Sequence, residues 1–171
     1  MSLDVHTAEL AELERVALEE AIVAIRDEAE VAALVEHRTA SLHALLAQHD
    51  ARYLPLATSE LEDALGELRA VGDRRLALVG GLVPVLGLSF QPTIGEVVAA
   101  APEPYATTIA ELRRRLLVAK SRIEWLSEQN TNLLGERMAL VSEALSDGVT
   151  EAVPTYGRTP PSLPRFVRGI L

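Results

Sequence analysis

Apolar side chains recur along this chain in steps of three and four, the spacing of one face of an α-helix. Between residues 3 and 48 there is neither proline nor glycine, and the stripe runs through Leu18, Ile22, Ile25, Ala29 and Ala32, then Leu42, Leu46, His49 and Tyr53. A helix of that length is a rod of about 65 Å at ~1.5 Å per residue, and its stripe needs a partner to cover it. A second helix is expected from Asp50, as its cap, to about Val79, with Leu61, Leu65, Leu68, Val71 or Gly72, Leu76 and Val79 on its inner face. Pro55 sits near its start, where proline is tolerated, or marks a kink, so a tight turn and a bend both fit the junction with the first helix. Gly80, Gly81 and Pro84 weaken the far end, and Gly87 is the expected terminator. Thr93-Ile94-Gly95-Glu96 has capping-box spacing and predicts a short helix, stopped by Pro102-Glu103-Pro104.

The last helix carries the clearest pattern. Ile109, Leu112, Leu116, Ala119, Ile123, Leu126, Asn130, Leu133, Arg137, Leu140 and Ala144 form a heptad seam ending at Asp147-Gly148. Beyond it, Pro154, Gly157, Pro160, Pro161, Pro164 and Gly169 preclude a continuous helix. The fold expected is all-α: an elongated antiparallel bundle of three long helices plus one short helix over residues 1–147, with an irregular, Pro/Gly-rich basic tail over 148–171.

Composition narrows the functions open to such a fold. Apolar residues make up 49 % of the 171 but aromatics only 4 %, so the core is built from Ala, Leu and Val. A net charge of −9 opposes nucleic-acid binding, which needs clustered Lys and Arg. The absence of cysteine removes disulfides, thiol nucleophiles and the commonest zinc ligands, and suits a reducing compartment. The acidic N-terminus has no apolar core of signal-peptide length, and Gly80, Gly81, Pro84 and Gly87 interrupt the longest apolar stretch, so neither secretion nor membrane insertion is expected.

Catalytic and cofactor motifs are missing. His6, His37, His43 and His49 have no metal-ligand spacing, and Gly80-Gly81 is not followed by the Lys-Ser/Thr of a phosphate loop. Glu19, Glu20, Glu28 and Glu30 read as a solvated acidic face rather than as an acid–base pair. The reading is therefore non-enzymatic, with no cofactor and no metal. Arg113-Arg114-Arg115 reads as a basic trio meeting acid on the first helix, with a partner contact as the alternative.

Two features of the last helix point toward binding. Asn130 occupies an "a" position of the seam, where a polar side chain fixes helix alignment if it finds a hydrogen-bond partner, or else faces solvent. Beside the seam runs a second apolar row, Leu134, Met138, Val141 and Leu145, which with Leu133 and Leu140 exceeds what one seam needs. Such a surplus suits an amphipathic helix from a partner, or a cover supplied by the tail through Pro154, Leu163 and Phe166.

The segment Leu126-Ser127-Glu128-Gln129-Asn130-Thr131-Asn132-Leu133-Leu134 resembles the Leu-Asn-x-x-Asn-x-x-Leu-Leu pattern in the last long helix of the FlgN family of flagellar export chaperones. Asn130, Leu133 and Leu134 match, and Ser127 replaces the first Asn. Val153-Pro154-Thr155-Tyr156-Gly157 is similar to the family's Pro-Thr-x-Tyr-Gly segment, continued here by Arg158-Thr159-Pro160-Pro161. The resemblance implies a cytoplasmic type III export chaperone that holds the C-terminal helical segment of a hook-associated (hook–filament junction) protein. It implies that the last helix and the tail hold the client and that Tyr156 contacts the flagellar export gate; taken with the second apolar row, the client contacts expected are Asn130, Leu133, Leu134, Met138, Val141 and Leu145. The competing reading is a coiled-coil scaffold that self-associates through the seam.

Overall fold

The computed structural model of the chain describes the backbone of residues 2–148 and the side chains of residues 11–143. All regular structure among the described residues is helical: α1 (Ser2–Ala47), α2 (Leu54–Gly81), α3 (Val83–Leu86), α4 (Ile94–Ala100) and α5 (Tyr105–Gly148). The expected all-α bundle of three long helices and a short one is present, with α3 as an added single turn. The tail beyond Gly148, including Tyr156, lies outside the described residues.

The junction between α1 and α2 is a tight turn. His49 adopts a left-handed φ of 60°. Its amide donates to the Leu46 carbonyl at 3.3 Å, and the Asp50 amide donates to the Leu45 carbonyl at 3.1 Å. This is the Schellman closure, made here with histidine where glycine is usual. Asp50 does not cap α2: it pairs with the Arg52 guanidinium at 3.0 Å, and Tyr53 takes the N-cap position without a side-chain bond. Pro55 falls in the first turn of α2, where no intrahelical donor is lost.

Cross-helix pairs give the directions. Glu28 meets Arg75, Asp27 meets Arg74 and Arg38 meets Glu60, so α1 and α2 run antiparallel. Glu36 meets Arg122 and the Leu46 carbonyl meets Arg137, so α1 and α5 run parallel. The architecture is up-down-up, with α1 in the middle and packed against both other long helices. That position explains why α1 buries more than one stripe: Ala21, Ala24 and Val35 join Leu18, Ile22, Ile25, Ala29 and Ala32 inside. Small alanines on the added face let two helices approach the same rod.

The short elements close the end of the core nearest Leu18. Gly87, at φ 66°, stops α3 rather than α2, which already ends at Gly81. Thr93 caps α4 by a full capping box, its hydroxyl accepting from the Glu96 amide while the Glu96 carboxylate accepts from the Thr93 amide at 2.7 Å. Ile94 and Val97 on the inner face of α4 then join Leu82, Leu18 and Ile109 in one apolar cluster.

The inner face of α2 departs from the predicted stripe at one turn. Leu76 is exposed, and Arg75 takes the buried place, bidentate to Glu28 at 2.8 and 3.2 Å. Glu28 has no exposed surface, so the solvated-face reading of that carboxylate is overturned; Glu19, Glu20 and Glu30 remain exposed. Gly72 makes the room, since a Cβ there would stand 3.3 Å from Glu28 Oε1. A buried carboxylate needs a cation and hydrogen bonds together, and Arg75 supplies both.

Candidate partner-binding surface

The surface is built from the C-terminal half of α5. From Ile109 to Asn130 the predicted seam is buried position by position: Ile109, Leu112, Leu116, Ala119, Ile123, Leu126 and Asn130. This length of seam packs within the chain, largely against α1, and is not open to a second copy.

Asn130 is only 5 % exposed and faces α1. Its Nδ2 donates to the Thr39 carbonyl at 3.3 Å, which leaves Oδ1 to accept from His43 Nδ1 at 2.9 Å. The arrangement fixes the proton of His43 on Nδ1. Thr39 is itself buried, its hydroxyl turned back to the Val35 carbonyl at 2.7 Å. No buried side-chain nitrogen or oxygen among the described residues lacks a partner. Asn130 therefore locks the α1–α5 register from inside the bundle rather than lining an open face.

Two turns further on, Arg137 reaches the end of α1. Its guanidinium donates to the Leu46 carbonyl, one of the final acceptors of α1, and to His49 Nδ1 at 2.9 Å. A cation at a helix C-terminus meets the negative end of the helix dipole, and Arg137 adds a second donor to the carbonyl that the His49 amide already reaches.

Past Arg137 the support ends. The α1–α2 turn occupies residues 48–53, while α5 continues to Gly148. Residues 138–148 run on for roughly 16 Å past the Arg137–Leu46 contact at 1.5 Å per residue. Met138 (59 % exposed), Leu140 (63 %) and Val141 (59 %) stand on this overhang, and Leu134 (38 %) lies one turn before it. Leu133 is half-buried. Of the residues expected to contact a client, Leu134, Met138 and Val141 form one exposed row, Asn130 lies beneath it, and the Leu145 side chain is outside those described. Leu140, read as part of the internal seam, belongs instead to the exposed surface. The heptad pattern continues there, but the helix it would pack against has already turned.

The remaining surface offers weaker features. Trp125 is exposed beside His43, with ring centroids 6.4 Å apart. A cleft of about 420 Å³ between α1 and α2 is lined by Glu19, Glu20, Val23, Arg74, Ala77 and Leu78. Arg113, Arg114 and Arg115 are all exposed; Arg114 pairs with Glu111 of its own helix at 2.6 Å, and among the described residues none of the three forms the expected ion pair with α1. Arg122 makes that contact instead, through Glu36 at 2.9 Å. Arg15 beside Glu12 and Arg114 beside Glu111 hold those carboxyls below their ordinary range, and the Thr93 amide and hydroxyl do the same for Glu96. Such groups stay anionic at neutral pH and accept hydrogen bonds rather than deliver protons. Among the described residues no helix is long and apolar enough to cross a membrane. No protein-family model, no curated protein and no solved structure matches the chain.

Proposed function

We propose that the chain is a non-enzymatic, cytoplasmic chaperone of flagellar type III export that holds the C-terminal helical segment of a hook-associated protein and delivers it to the export gate. The observation that carries this reading is the unsupported end of α5. Leu134, Met138, Leu140 and Val141 stay exposed on a helix whose seam from Ile109 to Asn130 is buried, and three of them lie past the contact of Arg137 with the end of α1. An exposed apolar row at helical spacing is what an amphipathic helix needs to cover its own stripe. Met138 adds an unbranched side chain able to adjust to more than one contour. Burial of ~1,000 Å² would give a specific contact that can still be released. The likeness of residues 126–134 and 153–157 to the FlgN family supplies the choice of client and gate.

Capture of the C-terminal segment of a hook-associated protein on immobilised chaperone tests the reading. Leu134→Glu and Met138→Glu each place a charge in the row and should abolish capture with helicity by circular dichroism unchanged. Undiminished capture by both variants removes the site. Tyr156→Ala should then spare capture and impair export, which separates holding from handover.

A further inference from the structure

We propose that His49 is a proton-operated latch at the base of the α5 overhang. When the ring is neutral, its Nδ1 accepts from Arg137 and holds α5 to the end of α1. When the ring is protonated, the same nitrogen donates to the Ala47 carbonyl and Arg137 is released. The latch does not rest on the client reading given above. It follows from a shared atom: His49 Nδ1 lies 2.9 Å from the Arg137 guanidinium and 3.2 Å from the Ala47 carbonyl oxygen. A guanidinium only donates, so it requires the Nδ1 lone pair and leaves the ring proton on Nε2. A carbonyl only accepts, so it requires a proton on Nδ1. One nitrogen cannot meet both requirements, and protonation decides which is met.

The surroundings set the two states against each other. A protonated ring is a cation at the last carbonyls of α1, where the helix dipole favours positive charge, but it stands 2.9 Å from a second cation. Among the described residues the ring bonds only to Ala47 and Arg137, so no carboxylate balances the two cations. In the turn, Asp50 and Arg52 are paired with each other at 3.0 Å, and the Tyr53 ring at the start of α2 lies under the Arg52 guanidinium. Glu136 and Glu143 of α5 are exposed. Arg137 is the partner that leaves, because its side chain is long and flexible. His49 is fixed by the turn, through its left-handed φ and the bond of its amide to the Leu46 carbonyl. His43 provides a contrast one helical turn and a half away. It already gives an Nδ1 proton to Asn130 Oδ1 at 2.9 Å, so a second proton enters at Nε2 and that bond survives. Imidazole is the side chain that changes charge between about pH 5 and 8. Acid in that range therefore opens the Arg137 contact and spares the Asn130 lock.

Two-bond ¹H–¹⁵N spectra of the imidazoles in the full chain read the tautomers directly. At about pH 8, His49 should carry its proton on Nε2 and His43 on Nδ1. The carbonyl ¹³C signals of Leu46 and Ala47, observed through the amides of Ala47 and Gln48, should then move in opposite directions as the pH falls to about 5. Leu46 loses a donor and shifts upfield, Ala47 gains one and shifts downfield, and both follow one midpoint. His49→Asn, a residue that tolerates the left-handed φ, should flatten both curves. Arg137→Met should flatten the Leu46 curve and leave the Ala47 curve in place. A His49 proton on Nδ1 at the alkaline end overturns the proposal. Flat carbonyl signals in the parent, movement of both in the same direction, or movement that survives His49→Asn overturn it as well. The tautomers and the parent titration need no substitution, so they decide the matter even where a variant fails to fold.

Discussion

Replacing Arg75 with Met should be the most damaging single change in the α1–α2 hairpin, and a second replacement should rescue it. Glu28 is completely buried and takes two hydrogen bonds from Arg75, at 2.8 and 3.2 Å. Arg75→Met keeps the length of the side chain and removes the cation, leaving a carboxylate inside an apolar bundle. Breaking a buried pair from one side costs about 3–5 kcal/mol. At a urea m-value of ~2 kcal/mol/M, that lowers the unfolding midpoint by about 2 M. Adding Glu28→Met removes the stranded charge. The double variant should recover most of the loss and could exceed the parent by about 1–4 kcal/mol, since apolar isosteres often match or surpass a buried pair. The assay is urea unfolding followed by circular dichroism and by Trp125 fluorescence, which reports on the α1–α5 face from the one tryptophan. A loss under about 1 kcal/mol in Arg75→Met, or no recovery in the double variant, would refute the reasoning.

Two glycines of α2 should respond differently to alanine. At Gly66 an added Cβ meets nothing within 4 Å, so Gly66→Ala should raise stability by about 0.5–1 kcal/mol, whereas at Gly72 the contact 3.3 Å from Glu28 Oε1 should cancel the gain. Urea midpoints of the two variants check this. Asn130→Leu strands His43 Nδ1–H, and should lower stability by about 1–3 kcal/mol on the same measurement. Glu96 is held below the ordinary carboxylate range by its bonds to Thr93. A carboxylate with a depressed folded value contributes stability above its unfolded value and loses it as pH falls through the folded one. The advantage of the parent over Glu96→Gln in thermal midpoint should therefore be full well above the ordinary Glu value of about 4.3 and shrink as the pH falls below it.

Long elements were legible in the sequence because their stripes repeat. The α5 seam from Ile109 to Asn130, the stripe of α1 from Leu18 to Ala32 and the Thr93 capping box all fall where residue spacing puts them. The misreadings share a cause, which is that a pattern names a face but not its neighbour. Leu76 fits the α2 stripe as well as Arg75 does, and only the position of Glu28 on the antiparallel α1 decides which is drawn inside. Arg113, Arg114 and Arg115 looked like partners for α1, yet the register brings Arg122 to Glu36. His49 and Tyr53 continue the spacing of α1 on paper, but the Schellman turn after Ala47 takes both off the rod.

The candidate surface follows from the same limit, and here the limit is informative. Heptad spacing runs through Leu133, Arg137 and Leu140 with no change of character, so nothing local marks where burial stops. The mark lies elsewhere in the chain, in the turn at residues 48–53, which ends α1. Because α1 and α5 run parallel, the Asn130–Thr39 bond and the Arg137–Leu46 bond set the offset between them, and that offset alone decides how far α5 projects. The polar pair that stabilises the register thus also creates the exposed row. A one-turn slip of α5 toward its own N-terminus would carry Met138 and Val141 alongside α1 and hide part of the row, but it would leave Asn130 and Arg137 away from their acceptors. A buried asparagine is a costly way to stabilise a helix pair and an effective way to forbid such a slip. Together with Arg137 it ties the length of the projecting end of α5 to the same bonds that hold the register of the two helices.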